Sequence, residues 1–191
     1  MKKIPLQTGV ITLIILAAVA SRLVPHPSNF SPLGAIALFG AAHFARRWLA
    51  WLIPIAATWL SDLFINNVVY AQYYPEFTWF YSGFYWQYGA YLFIVLLGLL
   101  LYKKHISLGN VLGGAIGAGL LFFLISNFGV WVGGTMYPKT FSGLIACYAA
   151  GIPFLKGTLM GNLFYSSLLF GSYYFLQKNS TVFQLKHVKY A

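Results

Sequence analysis

Acids are almost missing from this chain, which holds two in 191 residues, Asp62 and Glu76. Charged residues of both signs reach only 7%, against about 25% in an ordinary soluble domain. A surface so poor in charge suits lipid, and this excludes a water-soluble globular protein. Cysteine is nearly absent too. Cys147 stands alone, which excludes an intrachain disulfide and a thiolate metal cluster. No G-x-x-x-x-G-K-[ST] stretch occurs, so the chain hydrolyses no nucleotide by that route. The net charge of +10 would suggest nucleic acid in a soluble protein. Here the basic residues sit at the ends of apolar segments rather than on a polar face, and nucleic acid is excluded.

Apolar and aromatic residues fill the space that charge leaves, at 60% and 19% of the chain. A membrane-spanning helix needs roughly 20 apolar residues. The hydrophobic pattern predicts an all-α integral membrane protein of six transmembrane helices, a single membrane domain over residues 1–191. The helices are expected over 7–24, 32–45, 48–66, 83–102, 108–131 and 153–176, with a short interfacial piece over 142–151. Lys2-Lys3 before an apolar run resembles a signal peptide, but five more hydrophobic segments follow, so it reads as a retained first helix. Pro25 and Pro27 stop that helix, because proline lacks the amide donor and biases its predecessor away from helix. The second segment, rich in Ala and Gly, is short for a core of about 30 Å.

Charge sets the expected orientation. With the N-terminus inside, six spans put Lys2, Lys3, Arg46, Arg47, Lys103, Lys104, Lys178, Lys186 and Lys189 on the inner side. Arg22, Lys139 and Lys156 fall on the outer half. Nine against three follows the positive-inside rule and predicts both termini to be cytoplasmic. Both acids, Arg22, His26 and the long aromatic loop then share the outer side, where function is expected.

Candidate functional residues follow from what is costly in lipid. Asp62 lies inside a hydrophobic segment, where an ionisable group needs a partner and marks a functional site by default. Arg22 falls at a similar depth, so a structural Arg22–Asp62 pair and a ligand-binding role are both open. His26 is held between two prolines, with no second His or Cys at metal-ligand spacing, so no metal is expected. His43, beside Arg46, reads as interfacial. The run from Tyr70 to Tyr91, with Tyr81 and Trp86, is either an interfacial belt or the wall of a pocket. Asn127 and Trp131 share a helix face at i and i+4 and could contact a solute. Asn66, Asn67 and Asn162 are weaker candidates of the same kind. Cys147 has no base nearby in sequence and reads as structural. The Gly113-x-x-x-Gly117 and Gly114-x-x-x-Ala118 patterns allow close helix approach, within the chain or toward another membrane protein.

RLVPHPSNFSPLGAIALFGAAHF, Ser61-Asp62, SNFGVW and YPKTFSGLIACYAAGIPF together resemble an uncharacterised bacterial family of proposed transport proteins. That family is similar to the substrate-binding S components of energy-coupling-factor vitamin transporters. The resemblance implies a six-helix S-component-like bundle in the bacterial inner membrane, with an outer-side pocket. It also implies a membrane coupling subunit with two ATPases as partner. The nearest match to the S-component docking motif Ala-x-x-x-Ala is Ala17-x-x-x-Ser21. The solitary cobalamin-binding S components use a cysteine in the loop before helix four, where this chain has none.

These observations lead to a binding or transport protein for a small organic nutrient, without cofactor. Asp62, Asn127 and Trp131 are its expected solute contacts, Arg22 and His26 support the corner, and Tyr81 and Trp86 line the wall. An intramembrane enzyme using Asp62, His26 and Cys147 on a lipid or quinone-like substrate is the alternative. A scaffold using the glycine faces is a third reading.

Overall fold

The computed structural model describes residues 6–179. Lys2, Lys3, Lys186 and Lys189, which enter the charge count above, lie outside that range. Six α-helices build the described chain: α1 (Leu6–Ala20), α2 (Leu33–His43), α3 (Arg47–Phe64), α4 (Phe84–Leu101), α5 (Leu108–Gly133) and α6 (Phe141–Asn179). Five of them, all but α2, are long and apolar enough to cross a membrane. The protein is therefore a multi-pass membrane protein of all-α architecture.

The short helix is the centre of the bundle. α2 packs against each of the other five helices, and Ala42 alone of its residues is not fully buried. Its sequence, LGAIALFGAAH, explains this position: a helix apolar on every side belongs inside. Small residues let its neighbours come close. A Cβ on Gly98 of α4 would lie 2.7 Å from that of Ala41, and one on Gly40 would lie 3.0 Å from the Pro54 ring of α3. At 11 residues α2 is about 16 Å long, roughly half the apolar core of a bilayer. Residues 24–32, which lead into it, are irregular backbone, exposed over residues 24–29, and several of them line a cavity, a setting in which membrane proteins tolerate non-helical backbone.

Pairwise contacts fix the alternation of the helices. Arg22 meets Asp62, Tyr88 meets Asp62, Gly129 meets Trp86, and Gly157 meets Ser28. One end of the bundle thus gathers the proline corner, the segment 65–83 and the loop 134–140. The opposite end holds the turns at 44–46 and 102–107 and an aromatic box. There His43 sits between Phe39 and Tyr173, with ring centroids 4.4 Å away on each side, and its Nδ1 donates to the Phe39 carbonyl at 3.0 Å. His43 is 5% exposed, so the interfacial position expected of it is corrected to a core position. Its closeness to Arg46 in sequence hid the fact that it closes the last turn of the most buried helix.

α6 also departs from expectation. Where the sequence predicts an interfacial piece over 142–151 and a separate span over 153–176, one helix of 39 residues runs through both, about 58 Å long. Pro153 lies inside it. Proline removes one helical hydrogen bond, which membrane helices accommodate. α3 likewise continues through Pro54, whose carbonyl accepts from Thr58 Oγ1 at 2.8 Å.

Of the glycine stripes on α5, Gly114 abuts the Tyr102 hydroxyl, Gly117 abuts Leu97 and Gly119 abuts Leu159. Gly109 and Gly113 meet nothing. A pair not singled out in sequence carries a closer contact. Gly157 and Gly161 of α6 take the backbone of residues 28–31 directly, with no side chain between.

Candidate functional site

The proline corner, the end of α3, and α2, α4, α5 and α6 enclose a cavity of about 690 Å³. Each wall has a sequence reason. Pro25, Pro27 and Pro32 hold residues 24–32 out of helix, and Asn29 turns them with a positive φ of 59°. The last turn of α3 widens into a π-turn over Ile65–Val69, closed by Tyr70 N–H on the Ile65 carbonyl at 2.8 Å. Such turns recur at functional sites, and here Ile65, Val69 and Tyr70 face the cavity. α4 contributes Gln87, Tyr91 and Ile94, and α6 contributes Phe154, Thr158 and Asn162. Both sets follow helical spacing, so each is one face of its helix.

Arg22 and His26 line this cavity as well. Arg22 Nη1 stands 2.8 Å from Asp62 Oδ1 and also donates to Ser61 Oγ. Tyr88 donates its hydroxyl to the other Asp62 oxygen at 2.7 Å. The Asp62 carboxylate is thus held from both sides, behind Arg22, and is not among the lining residues. His26 is exposed at the rim and donates from Nδ1 to the Pro27 carbonyl at 3.0 Å. Tyr81 is near the pair without lining the cavity. Burial first, then Tyr91 and Asp62, push its phenol above the ordinary value, so it stays protonated.

The other expected contacts stand elsewhere. Asn127 donates to the Phe123 carbonyl at 2.8 Å and fills the notch that Gly151 leaves between α5 and α6. Trp131 donates from Nε1 to the Pro138 carbonyl at 2.9 Å. Lys139 in turn donates to the Trp131 and Gly134 carbonyls, which makes a compact cap over the α5–α6 loop. Trp86 packs its indole on Gly129, beside Phe128. Cys147, 2% exposed, points its thiol at the Asn127 carbonyl at 3.4 Å. None of Asn127, Trp131, Lys139, Trp86 and Cys147 lines the cavity.

The aromatic loop divides between two roles. Tyr70 and Tyr91 face the cavity. Tyr73, Phe77, Trp79, Phe80 and Tyr85 are exposed, as residues of an interfacial belt are. Asn67 ties the loop down: its amide donates to the Leu63 and Thr78 carbonyls at 2.9 Å each and accepts from Thr78 N–H at 2.6 Å.

Gln87 and Thr158 line the cavity without being singled out by the sequence, Tyr91 enters there only as the end of the aromatic run, and Asn162 only as a weak candidate. Their signal is spacing. Gln87 and Tyr91 stand four apart, as do Thr158 and Asn162, so each pair puts polar groups on one face of an otherwise apolar helix.

No curated protein and no solved structure matches the chain. A family model does match, over residues 2–185, and the chain belongs to that family, described as a family of unknown function (DUF6580).

Proposed function

We propose that this protein binds a small organic nutrient, vitamin-like in size, at the outer face of a bacterial cytoplasmic membrane, and serves its transport. The cavity carries the reading. Its volume of about 690 Å³ lies in the range of small-molecule sites, roughly 300–1,000 Å³. Its lining joins apolar residues such as Leu23, Val24, Ile94, Phe122 and Phe154 to a comparable number of polar ones, among them Gln87, Tyr91, Thr158 and Asn162, which could fix a solute's orientation. The orientation rests on charge. Arg46, Arg47, Lys103, Lys104 and Lys178 stand at the end away from the cavity, and Arg22, Lys139 and Lys156 at the cavity end. The positive-inside rule then turns the cavity outward. With no Walker loop in the chain, active uptake would draw its energy from a partner, as the resemblance to energy-coupling-factor S components implies.

Native mass spectrometry of the protein, purified in mild detergent from the cells that make it, tests this directly. The expected result is one co-purified small molecule, displaced when His26→Trp narrows the rim. No bound molecule, together with unimpaired growth and uptake in a deletion strain, would overturn the reading.

A further inference from the structure

The first turn of α2 is buried and left open. A helix start exposes N–H groups with no partner inside the helix, and a buried start without caps is unusual. Here Pro32 at the N-cap has no side chain to offer. Leu33 N–H reaches only Ser31 Oγ, at 3.4 Å. Gly34 N–H and Ala35 N–H have no acceptor among the described residues. Leu33 and Gly34 both line the cavity.

A second, independent feature points to the same place. Asn162 is 3% exposed, lines the cavity, and its side-chain amide has no partner among the described residues. It sits against the backbone of Gly34, where any β-carbon would strike it. Tyr91, 5% exposed, also lines the cavity with a hydroxyl that has no partner among the described residues. Buried polar groups are nearly always satisfied. The open helix start at Gly34, the Asn162 carboxamide and the Tyr91 phenol therefore belong to residues that line one cavity.

We infer that this position holds the carboxylate of the solute. The site is rich in donors and has no acid in its lining. A helix start favours negative charge, with an effective charge of roughly +0.5. Arg22 adds no net charge, because Asp62 neutralises it. One helix end and neutral donors suit a single negative charge, which selects a carboxylate over a doubly charged phosphate. The apolar walls, among them Ile94, Phe122 and Phe154, take the rest of the molecule.

The inference rests on the solute-binding reading above, and the test separates the two. Equilibrium dialysis of the detergent-purified protein would use three acids, each against its primary amide: nicotinate, indole-3-acetate and biotin. At least one acid should be retained about tenfold better than its amide. Asn162→Ala should reduce that retention about tenfold. Gln87→Glu, at a half-buried cavity position, should reduce it equally without the packing change, and Gly113→Ala should leave it unchanged. Amides retained as well as acids, or no acid retained, would overturn the carboxylate assignment. A neutral or cationic molecule found by native mass spectrometry would also overturn it while leaving the binding reading intact. An empty protein there, together with unimpaired growth and uptake in the deletion strain, removes both.

Discussion

Gly157 of α6 and Ser28 of the proline corner meet backbone to backbone, so that a β-carbon on Gly157 would overlap the Ser28 carbonyl. One turn on, a β-carbon on Gly161 would lie 2.8 Å from Ser31 N. The rim of the cavity is therefore seated on a bare strip of helix. Gly157→Ala should push the corner off its seat, at about 1–3 kcal/mol, the usual scale of overpacking. The measurements are thermal unfolding in detergent and solute retention. Both should fall for Gly157→Ala, while Gly171→Ala, where nothing stands within 4 Å, should lower neither.

The Arg22–Asp62 pair predicts a different signature. Its side chains are 15% and 10% exposed, so removing one partner strands a charge in a poorly solvated place. Asp62→Leu or Arg22→Met alone should cost about 3–5 kcal/mol. The double variant Arg22→Met/Asp62→Leu should recover most of that loss, because an apolar pair needs no compensation. A double-mutant cycle by thermal unfolding measures it, and simple addition of the two single losses would contradict a coupled pair.

That pair was open to sequence reading because both residues could be placed by counting along their segments. An acid and a base at equal depth in an apolar chain have few other partners. The centrality of α2 was half legible. Its all-round apolar face indicates burial, yet its short length only marked it as irregular and did not reveal that five helices pack around it. The floor of the cavity was harder to see. Asn162, Gln87 and Tyr91 come from helices far apart in sequence, and only packing brings them together. Asn127 and Trp131 stand outside the cavity for the opposite reason. Their spacing is helical and polar, but both are satisfied locally, by the Phe123 and Pro138 carbonyls.

Local satisfaction predicts a structural role for Trp131 and Asn127. Trp131→Phe removes one hydrogen bond from the α5–α6 cap, a loss of about 1 kcal/mol. Asn127→Ala empties the notch beside Gly151 and should cost about 1–2 kcal/mol. Each should lower the unfolding temperature and leave the ranking of retained solutes unchanged. A changed ranking would bring α5's far end into the site.

Sidedness decides whether the cavity serves uptake. The one native cysteine, Cys147, is 2% exposed, so thiol labelling has a silent background. Tyr73, 70% exposed, stands at the cavity end, and the exposed His105 stands in the turn at the other end. A membrane-impermeant maleimide applied to whole cells, or to spheroplasts where an outer membrane intervenes, should label Tyr73→Cys. It should label His105→Cys only after the membrane is opened. The charge distribution requires this order, since Arg46, Arg47, Lys103 and Lys104 cluster with His105. The reverse order would turn the cavity to the cytoplasm. The protein would then receive its solute from inside, and export or intracellular sensing would replace uptake as its role.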